Sequence, residues 1–191
     1  MKRNIYISGI HSESMNYKYK IIDRFKGRKY KASEELYTFD MTFEQDSEES
    51  IKIGKNIART DVTVVLISRS VLESNWIPLE VKYSLEGFSN TKTELKPNGV
   101  IGVVIPDKGN DYSYIMKKGL KGIWRADKTK LPEIISSNIN NEKVIQNKNN
   151  VSYDSFISVY RWEDFVRNFE SCINIAYDKA TNLYENYNIS K

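Results

Sequence analysis

Two nearly uninterrupted apolar runs constrain this chain more than anything else in it. Val62-Thr63-Val64-Val65-Leu66-Ile67-Ser68 and Val100-Ile101-Gly102-Val103-Val104-Ile105 are rich in β-branched residues and lack the alternation of a half-wet strand. A strand that is apolar along its whole length is covered on both faces, as in a parallel sheet flanked by helices. The second run is bounded by Asn98-Gly99 and Pro106-Asp107, and Ile5-Tyr6-Ile7-Ser8-Gly9 reads as an opening strand of the same kind. Leu36–Asp40 is a shorter candidate and Glu133–Ser136 a weaker edge candidate.

Helical spacing fills the intervals. Between Ser50 and Arg59, residues Ile51, Gly54, Ile57 and Ala58 share one stripe. Asn75 is placed to cap a helix over Trp76–Glu86, with Pro78 in the first turn, where its missing N–H costs little. Trp162, Phe165, Val166, Phe169, Cys172, Ile173, Ala176, Tyr177 and Ala180 keep a three-four spacing, which predicts a C-terminal helix over about 160–185. Arg24–Lys31 mixes basic and aromatic residues and reads as a solvated loop after the first helix. Asp107–Lys121 reads as a long mobile loop, and 138–150 as an Asn/Lys-rich linker. Alternating strands and helices predict one domain over 1–191, an α/β three-layer sandwich with a mainly parallel sheet of about five strands.

Composition removes several function classes. One cysteine, Cys172, excludes an intrachain disulfide, and one histidine, His11, excludes an HExxH zinc site; no metal is expected. A net charge of +4 falls short of a dedicated nucleic-acid binder. The apolar run after Met1-Lys2-Arg3-Asn4 is too short for a signal peptide, and no segment approaches membrane-spanning length, so a cytoplasmic protein is expected. GxxxxGK[ST], GxGxxG and GxSxG are absent, which withdraws the main support for P-loop, dinucleotide Rossmann and α/β-hydrolase readings. A phospho-receiver needs an acidic pair after the first strand and Asp after the third, where this chain has Gly9-Ile10-His11 and Ser68-Arg69.

In parallel sheets ligands lie outside the carboxyl ends of the strands. This directs attention to Ser8–Ser14, Asp40–Phe43, Ser68–Asn75 and the stretch from Pro106. In the helix that follows Asn75, Trp76, Glu80 and Tyr83 share one face, and Ile77, Val81 and Leu85 occupy the neighbouring one.

Here the sequence resembles the TIR domain family. A hydrophobic strand ending in Ser68, then Ser74-Asn75-Trp76, then Glu80 four residues later is similar to the family's signature, and Ile5-Tyr6-Ile7-Ser8 with His11-Ser12 is similar to its opening strand and loop. The stretch Asn98–Asp107 resembles the branch that includes the TIR subunit of bacterial Thoeris anti-phage systems. The resemblance implies a flavodoxin-like fold and an enzyme that cleaves the nicotinamide–ribose bond of NAD, as substrate rather than cofactor. The ADP-ribosyl part would become a cyclic or conjugated signal for a separate effector. The family's catalytic glutamate maps onto Glu80, its tryptophan onto Trp76, and its opening-loop contacts onto Ser8, Gly9, Ile10 and His11. Asp40, Ser68 and Tyr83 complete the expected substrate-binding set, although Gly9-Ile10-His11 departs from the aromatic or charged residues of many members.

The chemistry is sufficient. A carboxylate about 4 Å from a cationic ribosyl centre is worth roughly 4 kcal/mol at an effective dielectric of 20, about a thousandfold in rate. Each residue also has a plain role: Glu80 as a solvated helix residue, Trp76 as packing, Asp40 as a turn former, His11 as a loop residue, Cys172 as core. Two other functions stay open, a self-assembling TIR module using 24–31 and 107–121, and a sensor that binds NAD without turnover. The module predicts self-association without NAD turnover, and a homo-oligomer on activation is among the expected partners.

Overall fold

The computed structural model describes residues 3–25, 30–32, 48–88, 96–119, 122–143 and 154–191. Its centre is a five-stranded, all-parallel sheet in which β1 (Arg3–Gly9), β2 (Tyr30–Ala32), β3 (Val62–Ile67), β4 (Gly99–Val104) and β7 (Ser158–Arg161) run in the order β2-β1-β3-β4-β7. This is the flavodoxin-like order, which places a topological switch point between β1 and β3. Every residue of β3 and β4 is buried, as their unbroken apolar sequences require.

Alternation along β1, β3 and β4 sends their side chains to two separate cores. Ile5, Ile7, Val62, Val64, Leu66, Ile101 and Val103 meet α1 (His11–Phe25), α5 (Trp162–Arg167) and α6 (Phe169–Thr181) through Ile21, Phe165, Phe169, Cys172 and Ile173. On the other face Val65, Ile67, Val100 and Val104 pack with Ile77, Val81 and Leu85 of α3 (Trp76–Glu86) and Ile135 of α4 (Glu133–Ser136). Tyr6 joins Ile53 and Ile57 of α2 (Glu48–Ile57) in a smaller cluster. Cys172 sits in the core, and burial pushes its thiol up to about 11.

Several expectations are corrected. Glu133–Ser136 is a short helix rather than an edge strand: it follows Pro132, and Ile135 packs fully buried in the α3 core. A four-residue segment with two apolar residues carries too little periodicity to choose between the two. The fifth strand is β7, half-buried and partly polar, so it lacks the signal of β3 and β4. The C-terminal helix begins at Trp162, is interrupted at Asn168 and ends at Thr181. Within 24–31, α1 runs to Phe25 and Tyr30–Ala32 pairs with β1, while 26–29 lie outside the described residues.

The 107–121 stretch is not a long loop over its described part. Met116–Lys118 (β5) pairs antiparallel with Trp124–Ala126 (β6), and Tyr112, Ile115 and Met116 are core residues. Tyr114 Oη donates to the Ile105 carbonyl at 2.5 Å and lies 3.1 Å from that of Ile67, tying this segment over the ends of β3 and β4. The start of the 138–150 linker is likewise packed. Asn138 Nδ2 donates to Ile134 O and Ser190 O, and Asn141 Nδ2 to Asn188 O. Asparagine-rich composition suggests a solvated loop, but these amides satisfy backbone groups of the C-terminal tail. Residues 144–150 lie outside the described residues, as does the expected strand Leu36–Asp40.

Lys179 lies on the inner side of α6 with 1% exposure, its Nζ donating to Ser155 O at 2.6 Å and Ser158 Oγ at 2.8 Å. Burial pushes its ammonium down to about 7, against the pull of Asp154. The folded state therefore binds fewer protons than the unfolded chain between about pH 7 and pH 10.5, so this residue makes stability rise across that window. Lys179→Met should flatten the rise, on the order of 4 kcal/mol, in urea melts at pH 7 and pH 10. Parallel slopes in both proteins would show that Lys179 ionises without penalty.

Candidate active site

Strand pleating turns Tyr6 and Ser8 of β1 away from Ile5 and Ile7 and toward α3. Helical spacing presents Trp76, Glu80 and Tyr83 to the same place, with Ile77, Val81 and Leu85 anchoring α3 on the sheet. Asn75 makes no side-chain cap; Ser74 Oγ accepts from Ile77 N–H at 3.2 Å and takes that role. The helix is fixed further along by Ser84, which is 2.7 Å from Thr63 Oγ1 on β3 and donates to Glu80 O at 2.8 Å.

Glu80 is 5% exposed. Tyr6 Oη donates to Oε1 at 2.5 Å, and Ser8 Oγ donates to Oε2. Burial pushes the carboxyl above the ordinary glutamate range; the hydroxyls of Ser8 and Tyr6 and the charge of Lys18 on α1 pull it down without cancelling that rise. An ionised carboxylate offers about four acceptor positions, so one hydroxyl on each oxygen leaves each oxygen able to accept again. In the ionised form, a carboxylate held this way can accept from further hydroxyls or stabilise a cation brought against it. Trp76 and Tyr83 are partly buried against Tyr6, and Tyr83 meets Phe88 edge-on at 4.8 Å.

The structure therefore joins Ser8 to Glu80, packs Trp76 and Tyr83 on the cluster of Tyr6, Ile53 and Ile57 beside it, and adds Tyr6, which the sequence reading assigns only to a strand. Period-2 alternation of β1 was the signal available: it puts positions 6 and 8 on one face. The remaining expected residues make no hydrogen bond to Glu80 among the described contacts. Gly9 is in close contact with α1, since a Cβ there would lie 2.7 Å from Ser14 Oγ and 3.0 Å from Leu66 Cβ. Ile10 is 4% exposed in the α3-side core, and its carbonyl accepts from Ser14 N and Ser14 Oγ. His11, at the start of α1, is half-buried, and Ser12 beside it is exposed. Asp40 lies outside the described residues.

Ser68 is buried beside a second carboxylate, Glu13, rather than beside Glu80. Glu13 accepts from Ser70 Oγ at 2.8 Å and Ser70 N at 3.3 Å. Burial raises its carboxyl, but the hydroxyls of Ser68 and Ser70 and the Ser70 amide outweigh this and hold it below the usual glutamate range. Beyond it, Arg69 pairs with Asp107 at the ends of β3 and β4. Among the described residues no three His, Cys, Asp or Glu side chains gather as a metal site, and no helix is long and apolar enough to cross a membrane.

The family model for the TIR-like domain of the Thoeris protein ThsB matches residues 6–110, which is 105 of the 191 residues. The matched span begins at Tyr6, within β1, and contains α3 and β4, hence every side chain that hydrogen-bonds Glu80 in the geometry above. With the parallel sheet and the Trp76–Glu80 helix in place, this chain belongs to the TIR-like domain family of the Thoeris anti-phage protein ThsB.

Proposed function

We propose that this domain cleaves the nicotinamide–ribose bond of NAD and that the ADP-ribosyl product serves as a diffusible cyclic or conjugated signal to a separate anti-phage effector. The observation that carries this reading is the buried Glu80 carboxylate, held at each oxygen by a hydroxyl of β1. The C–N bond breaks with its electron pair leaving on neutral nicotinamide. The cationic ribosyl carbon is then captured by water or by a hydroxyl or amine nucleophile, which loses a proton. Glu80 steadies the cation and accepts from the ribose hydroxyls. One carboxylate suffices because the leaving group departs without protonation, unlike the sugar oxygen that obliges most glycosidases to use two.

Burial of Glu80 favours one second reading, a domain that holds NAD without turnover in its resting state. The test is release of nicotinamide from NAD by the purified protein and in phage-challenged cells, with mass spectrometry of the products. Nicotinamide together with an ADP-ribose derivative supports cleavage. Calorimetric NAD binding with no product, before and after challenge, supports the sensor. Self-association with neither binding nor product returns the domain to an assembly module.

A further inference from the structure

Tyr6 is read from sequence only as a strand residue, yet it makes one of the two hydroxyl contacts to Glu80. Its ring is 1% exposed and packed with Ile53 and Ile57 of α2, so the phenol oxygen has little freedom to move. Two residues of one strand begin about 7 Å apart. Their hydroxyls converge on a single carboxylate because the tyrosine ring spans a distance that a second serine could not.

We propose that Tyr6 is a positioning residue for this glycosidic cleavage, fixing Glu80 through Oε1 so that the acceptor positions left over face the ribose hydroxyls. This rests on the NAD reading. Ser8 holds Oε2 in the same way and so acts through Glu80 rather than on the dinucleotide. Among the described residues, the titratable or charged groups acting on Glu80 are Tyr6 of β1 and Lys18 of α1. α2 contributes the apolar Ile53 and Ile57 to this cluster, and α3 its own Tyr83.

Tyr6→Phe keeps the ring and deletes the donor. We expect kcat to fall roughly 10- to 100-fold, with KM for NAD little changed. Removing a hydrogen bond to the charged form also moves the acid limb of the pH profile to higher pH. Carbon-13 NMR titration of the Glu80 carboxyl in the resting protein should show the same displacement without turnover. If Tyr6→Phe fails to fold, 3-fluorotyrosine at position 6 supplies a stronger donor in nearly the same volume, and the displacement should reverse sign. An unmoved titration and unchanged kcat in these proteins, beside an inactive Glu80→Gln, would reduce Tyr6 to packing. If instead Glu80→Gln turns over NAD like the wild type, the NAD reading itself fails, whatever the NMR titration shows.

Discussion

Under the proposed NAD cleavage, replacing Glu80 by Gln should lower nicotinamide release by about a thousandfold or more, the rate equivalent of one carboxylate's attraction for a cation at close range. The size of the effect depends on the charge being realised in the transition state rather than in substrate binding, so KM should move far less than kcat. Stability gives a built-in control. A glutamate whose carboxyl is raised by burial contributes stability at low pH that is lost as pH climbs through its folded-state value. At neutral pH and above, Glu80→Gln should therefore be as stable as the wild type or more so, and the loss of turnover cannot be put down to unfolding. Chromatographic measurement of nicotinamide at several NAD concentrations, beside urea melts at pH 8, reads both quantities. A variant within threefold of wild-type kcat would remove Glu80 from the chemistry; a strongly destabilised variant would mean that the carboxylate is mainly structural.

Gly99→Val is the substitution expected to damage the fold most. Gly99 opens β4 directly beneath α6, where a Cβ would lie 2.2 Å from the Ala176 carbonyl oxygen and 2.4 Å from its carbon. Backbone cannot swing aside as a flexible side chain can, so either α6 lifts from the sheet or β4 slips from its register with Val62. Overpacking of this kind costs about 3 kcal/mol. Guanidinium or urea midpoints of the two proteins measure it, and a difference below about 0.5 kcal/mol would mean that α6 docks elsewhere. The result bears on the whole chain. α6 lies beyond residues 6–110, yet its Phe169, Cys172, Ile173 and Ala176 fill the core that β1, β3 and β4 offer on that face.

Particular residues show how far the amino-acid order carries. Val62–Ile67 and Gly99–Val104 are legible because a fully buried strand leaves its mark in every residue. Trp76, Glu80 and Tyr83 are legible as one helix face because their spacing is local. Ser158–Arg161 is not, since an edge strand is partly wet and its sequence serves two environments. Asn138 and Asn141 read as loop, and contacts to Ile134, Phe156, Asn188 and Ser190 turn them into buried structural groups. Ser68 sits buried at the strand end where expected, but the carboxylate it influences is Glu13 rather than Glu80, on a neighbouring element that spacing could not align with it.

Local order thus determined that this chain builds a buried parallel sheet and carries Glu80 beside Trp76 on an amphipathic helix, because strand burial and helical periodicity are written in residues close in sequence. That Glu80 is clasped by Tyr6 and Ser8, some seventy positions earlier, was decided by the tertiary structure alone. The register of α3 on β1 depends on packing between distant segments, and the charge of a carboxylate depends on what that packing places around it.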